Sequence, residues 1–548
     1  MLDFLKIFLR YWHTLRYLKL IQITSRLKLI LPKSKVSLDK KNDLNNFTGF
    51  WIESAQRIQK MESENTFKFL NESHKIETNS WDDIKASKLW LYNLHYFDDL
   101  NAHDSITRKS WHYELLNKWI KENPPFEGTG WDSYPTSLRI VNWIKWALNG
   151  NLLKTDVIYS LEIQCRFLEK NIEKQLLGNH LFANGKALTF AGFFFDGVEA
   201  KKWRKIGTSI LKKQVEEQVL SDGGNFELSP MYHIIFLEDL LDLINLYRTF
   251  DLKPPVEFVE KVPLMLSWLK TMCHPDGKIS FFNDSAFGIT PSVREIEDYA
   301  NRLNLFEPTN NNSNNYFKNL SASGFTRVVY GEIVAIIDRS SIGPSYLPAH
   351  AHADTLSFEL SIFGKRVIVN SGTSVYGSSE KRQLQRGTQS HSTVMIDNQN
   401  SSEVWGGFRV ARRAKVFNSI DFQQDDIIVL SASHNGYHRL KGKPTHTRKW
   451  KFSSQLVVIE DLIEGNFNHD VELAFFLHPD ININQISESK VELKLLDKAI
   501  KLNFEGKGFM VIENSKYHPE FGVSNDNFKI LFRINGDLPV KVKTRISW

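Results

Sequence analysis

Cysteine is almost missing from this chain: two residues, Cys165 and Cys273, stand among 548. A disulfide framework is excluded, and each thiol reads as a small buried apolar group. Uninterrupted apolar runs are also missing. None approaches the roughly 18 residues that a membrane-crossing helix needs. Nor is there a run of five or more basic residues, and a net charge of +6 is modest for this length, so a nucleic-acid partner is not indicated. The start, Met-Leu-Asp-Phe-Leu-Lys-Ile-Phe-Leu-Arg, is interrupted by Lys6 and Arg10 where a secretory leader needs a clean apolar core. A cytoplasmic or peripheral-membrane location is therefore expected over secretion. From Leu2 to Ile30 apolar residues alternate with Arg10, Arg16, Lys19, Arg26 and Lys28, a basic amphipathic pattern. It suits either a helix packed on the protein or peripheral contact with an anionic membrane.

What is present is the composition of a globular protein, 42% hydrophobic and 24% charged, in a chain too long for one core. From about Trp81 to Leu305 the apolar spacing is helical, as in Ser137–Ala147, Val157–Phe167, His180–Phe194 and Tyr232–Tyr247. A polar stretch of Asn, Ser and Pro at 307–315 breaks this periodicity and marks a domain boundary. Beyond it come short β-branched and aromatic runs, including Gly331–Asp338, Leu356–Phe363, Arg366–Val369, Ile427–Ala432 and Val471–Leu477. They predict an antiparallel sandwich, with a hairpin turn at Gly364-Lys365. The expected division is a helical extension over 1–80, a helical domain over 81–306, a linker over 307–318 and a β-domain over 319–548. Eleven of 14 Trp precede the linker, where core filling is the favoured reading of each.

The chemistry-bearing segment is Pro348-Ala-His350-Ala-His352-Ala-Asp354. Two imidazoles and a carboxylate at alternate positions share one side if the backbone is extended, and can converge on a ligand or metal. Asn179 is placed as the N-cap of a helix, where an anion is welcome. Ser229-Pro230 reads as a second helix start, with Tyr232 and His233 in its first turn. His352, Asn370 and His391 could meet across neighbouring strands as nitrogen and oxygen ligands of a divalent metal.

These segments, with Leu89-Trp-Leu-Tyr-Asn-Leu-His95, Trp131-Asp-Ser-Tyr134-Pro-Thr-Ser-Leu-Arg139 and Ser402-Glu403-Val-Trp405-Gly-Gly-Phe-Arg409, resemble the heparinase II/III family of polysaccharide lyases, within the alginate-lyase-like superfamily. The resemblance implies a multidomain α+β protein, an N-terminal incomplete (α/α) toroid followed by a C-terminal antiparallel β-sandwich, with the active site between them. It implies β-elimination on a uronic-acid polysaccharide, which requires neutralising the C5 carboxylate, removing the C5 proton and protonating the departing oxygen. In that scheme Asn179 and His180 hold the carboxylate, Tyr232 is acid or base, and His350 is the base. Tyr134, Arg139, His233, Glu403 and Trp405 contact the acidic polysaccharide.

The resemblance also implies a structural divalent cation, zinc or calcium, at His352, Asn370 and His391. Asn370 departs from the expected aspartate, and Asp354 is then left to orient a histidine. A non-degradative glycan-binding or assembly protein of bacterial surface-polysaccharide biosynthesis is the alternative. Hydrolysis by paired carboxylates such as Glu227 and Asp284 is a third reading. The sequence does not fix the oligomeric state.

Overall fold

The computed structural model describes residues 2–30, 35–40, 42–78, 80–82, 85–306, 315–495 and 497–548. Among them are the helices α1 (Leu2–Leu15), α2 (Leu20–Lys28), α3 (Lys88–Tyr96), α4 (Lys109–Glu122), α5 (Ser133–Leu148) and α6 (Thr155–Lys170). After these come α7 (Gly178–Phe194), α8 (Val198–Gln218), α9 (Pro230–Thr249), α10 (Val256–Thr271), α11 (Val293–Arg302) and a short α12 (Glu380–Arg386). Helices α3 to α11 form the toroid, and the strands after Asn315 form the sandwich.

Helix starts follow local chemistry. Ser87, Ser229 and Ser292 each accept a backbone N–H from the first turn of α3, α9 and α11, and Pro230 fills the first position of α9. Nine of the eleven early tryptophans are buried, so they fill the core and are not available as sugar-stacking faces.

The sandwich consists of two antiparallel sheets. In the eight-stranded sheet, Val540–Ser547 lies between Leu456–Glu464 and Lys498–Glu505. The nine-stranded sheet contains Ile333–Asp338, Phe358–Ile362 and Lys365–Val369. Thr445–Ser453 alternates buried and half-buried residues, as a strand with one face on the core must. Ile333–Asp338 and Phe358–Ile362 are buried at every position, because helices cover one face of their sheet and the second sheet covers the other. The turn from Phe358–Ile362 into Lys365–Val369 is Phe363-Gly364, both at positive φ, one residue earlier than expected.

Two expectations need correction. Among the described residues the extension over 1–80 is helical only in α1 and α2; Met61–Ser63, Thr66–Phe69 and Glu72–Lys75 form a three-stranded sheet whose Met61, Phe67 and Phe69 enter the toroid core. The expected linker falls at 307–314 outside the described residues, and 315–318 already belong to the strand Asn315–Leu320.

Leu228, Trp268, Met272 and Phe282 of the helical half pack on Leu320, Phe325 and Ile336 of the sandwich. This apolar seam fixes the two halves around the cleft described next.

Candidate active site

A cleft of about 740 Å³ lies between the toroid and the sandwich. Asn179, His180, Tyr134 and Tyr232 line it from the helical side, and His350, Tyr376 and Phe408 from the β-side.

His350 and His352 do converge, on Asp284 and not on Asp354. The segment carrying them is irregular backbone, not strand, and both rings turn to Asp284. His350 Nδ1 lies 2.9 Å from Asp284 Oδ2, and His352 Nε2 lies 2.9 Å from Oδ1. The Arg382 guanidinium donates to both oxygens of the same carboxylate, with Nη2 at 2.7 Å from Oδ2. Burial works to raise the Asp284 pKa, but Arg382 and the two histidines hold it well below the usual carboxylate range. An ionised Asp284 accepts from both rings, which sets their tautomers: His350 carries its proton on Nδ1, leaving Nε2 with a lone pair.

The His350 ring stacks on Tyr232, with centroids 3.9 Å apart. The Tyr232 hydroxyl meets the Tyr376 hydroxyl at 3.0 Å. Burial drives both phenols well above their ordinary pKa, so each is a proton donor at neutral pH. Arg382 lies 4.9 Å from the Tyr376 ring centre and its Nε donates to the Gly407 carbonyl. Gly407, at φ +76, is approached so closely by the Gly377 carbonyl that a Cβ would stand 2.2 Å from it, so only glycine fits there.

Helix α7 begins at Gly178, which places Asn179 in the first turn, not at the cap. Its backbone N–H donates to Glu227, whose Oε2 lies 3.5 Å from His350 Nε2. Glu227 thus joins the helix start to the histidine; burial raises its pKa against the pull of His350 and His180. His180 is held by Glu173 at 3.1 Å and lies against Tyr134, with ring centres 4.5 Å apart. Deeper in the cleft, Lys186 pairs with Asp239 at 2.6 Å and Asp242 at 2.7 Å, Lys145 with Asp242 at 2.9 Å, and Arg57 with Glu238 at 2.5 Å.

Five sequence candidates stand away from this cleft. Arg139 is fully buried, bonded to Gln164 and the His95 carbonyl and stacked over Trp119, so it braces the toroid core and contacts no substrate. His233 accepts from the Asn225 N–H, donates to the Met265 carbonyl and stacks on Trp268. Glu403 is bonded to Arg412, and Trp405 receives α1 through Thr14 and Tyr11. Asp354 accepts the Asn283 N–H at 3.2 Å and does not orient a histidine. The hydrolytic pair also fails geometrically, because an Asp284 locked between Arg382 and two histidines has neither proton nor access to supply.

His352 Nδ1 and His391 Nε2 stand 3.3 Å apart, and the Asn370 side-chain oxygen accepts the Ser392 N–H at 3.3 Å. Among the described residues no group of three or more His, Cys, Asp or Glu is placed to hold a metal ion. Two neutral imidazoles and an amide already bonded to the backbone form an incomplete set for zinc or calcium.

Sequence reasoning missed Tyr376, Arg382 and the orienting role of Asp284. The only signal was the polar run Asn283-Asp284-Ser285 directly after Phe281-Phe282, which a core segment tolerates only when those groups have partners. Arg382 sits in a helix that reads as surface.

The heparinase II/III N-terminus model matches residues 6–313, and the heparinase II/III-like C-terminal model matches residues 312–548. A heparin-sulfate lyase of Bacteroides stercoris is 26% identical over 345 residues, 58% of this chain and 47% of that protein. One from Pedobacter heparinus is 29% identical over 274 residues, 45% of this chain and 40% of that protein. The chain thus spans about half the length of the curated relatives it matches. Among solved structures, heparinase III superposes with a TM-score of 0.70 at 20% identity, covering 85% of this chain and 79% of that one. A chondroitin AC lyase of Streptomyces coelicolor gives 0.51 at 9% identity, covering 84% and 74%; likenesses at such identity speak for the fold. With the two family models meeting where the helices give way to strands, and the toroid and sandwich in the matching order, the chain belongs to the heparinase II/III family.

Proposed function

We propose that the protein is a polysaccharide lyase that cleaves a uronic-acid-containing polysaccharide by β-elimination. The observation that carries this reading is the pairing of His350 and Tyr232 in one cleft, ring on ring, with the imidazole tautomer set by Asp284 and the phenol kept protonated. His350 Nε2 is the base that takes the C5 proton. Tyr232 is the acid that protonates the departing glycosidic oxygen, and Tyr376 hands it a replacement proton. The cations deeper in the cleft are already paired with carboxylates. Withdrawing charge from the substrate's own carboxylate therefore falls to the Asn179 amide, His180 and the positive end of α7.

The relatives described as heparin-sulfate lyases support the same reading. The test is incubation with a panel of uronate polymers, following the ultraviolet absorbance of the unsaturated uronate and the masses of the products. Unsaturated oligosaccharides are expected from at least one polymer. Saturable binding without that chromophore, or products lacking the double bond, would sink the lyase reading.

A further inference from the structure

The first two helices wear their amphipathic pattern inside out. Helix α1 meets the protein with Arg10, Tyr11 and Thr14: Thr14 accepts the Trp405 indole N–H at 3.1 Å, Tyr11 lies edge-on to that ring at 5.0 Å, and Arg10 stands 5.9 Å from its centre. On the opposite side, at helical spacing, Leu5, Phe8, Trp12 and Leu15 are 51%, 56%, 56% and 53% exposed. Helix α2 repeats the arrangement. Its Gln22 is buried and donates to the Tyr346 carbonyl, while Leu20, Ile23, Leu27 and the following Ile30 face solvent. Scattered exposed apolar residues are ordinary, but two consecutive helices with outward apolar stripes mark an interaction surface.

Its charge indicates what it meets. Residues 1–30 hold six Lys and Arg against one Asp, and Arg16, Arg26 and Lys28 are exposed beside the stripes. No helix among the described residues is long and apolar enough to cross a membrane. We propose that α1 and α2 lie in the headgroup region of an anionic phospholipid surface, apolar stripes inward and basic side chains on the phosphates. A second copy of the chain fits less well, because self-pairing would set the same basic flanks against each other. The consequence for the cleft is positional. Trp405 belongs to the hairpin Val404–Val410, whose Phe408 lines the cleft, so a membrane holding α1 also holds the cleft rim beside it. This inference does not depend on the reaction proposed above.

The test is cosedimentation of the full chain with phosphatidylglycerol–phosphatidylethanolamine vesicles, compared with phosphatidylcholine vesicles. The protein is expected to partition onto the anionic vesicles, less so as salt rises. Phe8→Ser with Trp12→Ser should lower that partition about tenfold. Arg16→Glu, Arg26→Glu and Lys28→Glu together should abolish the preference for the anionic lipid, at about fivefold per charge. Both variants should keep the parent's thermal midpoint, since the altered side chains are exposed. Absence of partition, or partition indifferent to both variants, would overturn the proposal. A concentration-dependent dimer dissolved by Phe8→Ser with Trp12→Ser would do so too, by assigning the stripes to a second copy.

Discussion

At the residue scale the site depends on which group holds a proton before substrate arrives. Tyr232 and Tyr376 are phenols in an apolar pocket, and His350 presents an unprotonated nitrogen because Asp284 occupies the other one. Tyr232→Phe and His350→Ala should each reduce kcat by about 10²–10⁴-fold, the range for losing a positioned acid or base. Tyr376→Phe should reduce kcat less and leave KM near the parent's, because Tyr376 acts through Tyr232. Equal losses in Tyr232→Phe and Tyr376→Phe would instead make Tyr376 a direct donor. The same scale decides the metal question. Asn370→Asp restores a carboxylate at the one position that departs from the implied ligand set, whose two imidazoles stand 3.3 Å apart, a separation that ligands of one tetrahedral zinc also share. That variant should bind zinc in elemental analysis of the purified protein, and His391→Ala added to it should release the metal. A parent protein already carrying stoichiometric zinc would show that the amide suffices.

At the element scale, the start of α9 ties Tyr232 to the orienting Asp284. Ser229 Oγ accepts the Tyr232 N–H at 3.2 Å and donates to the Asp284 carbonyl at 2.6 Å, so one hydroxyl sets both neighbours. Ser229→Ala should cost about 1–2 kcal/mol, the usual penalty for a lost cap, and lower kcat along with the thermal midpoint. An unchanged midpoint with full activity would mean the cap is dispensable. Elements were the most legible level of this sequence: Ser229-Pro230, the 3.6-residue spacing of α5, α6, α7 and α9, and the apolar runs of the buried strands announced themselves. The sheet at 61–75 did not, because its Glu, Lys and Asn content hides three inward side chains. The placement of the cleft walls was legible at Asn179 and Tyr232, which fall in the first turns of helices, and at His350, which lines the cleft from the β-side. It was illegible at Asp284, Arg382 and Tyr376, since their importance lies in a convergence of segments about 100 residues apart, and spacing carries no trace of that. Arg139 and His233 misled for the converse reason: a polar residue in a matching motif can be a brace for the core.

At the scale of the whole molecule, the same contacts that build the site also join its halves. His350 and His352 of the sandwich bind Asp284 of the helical half, and His274 bridges from the helical side to Glu359 and Ser361 at 2.7 Å each. Burial keeps the His274 and His352 imidazoles neutral by lowering them to about 4, and lowers His95 and His233, inside the toroid, to about 3. The sign follows from the unfolded chain, whose histidines take up protons below about pH 6.5 while the folded ones refuse them. Stability is therefore full above about pH 6.5 and falls as the pH drops toward 4, each buried histidine removing about 1.4 kcal/mol per pH unit across that window. Asp284, with its folded pKa depressed, adds a further loss only below the ordinary carboxylate range. Because two of the histidines cross the seam, toroid and sandwich should come apart in one transition whose midpoint falls steeply between about pH 6.5 and 4.5. Calorimetry across that range, with proton uptake on unfolding measured in parallel, checks this. A midpoint flat from pH 7 to 5, or two transitions with separate pH dependences, would show that the seam is not held by neutral histidines.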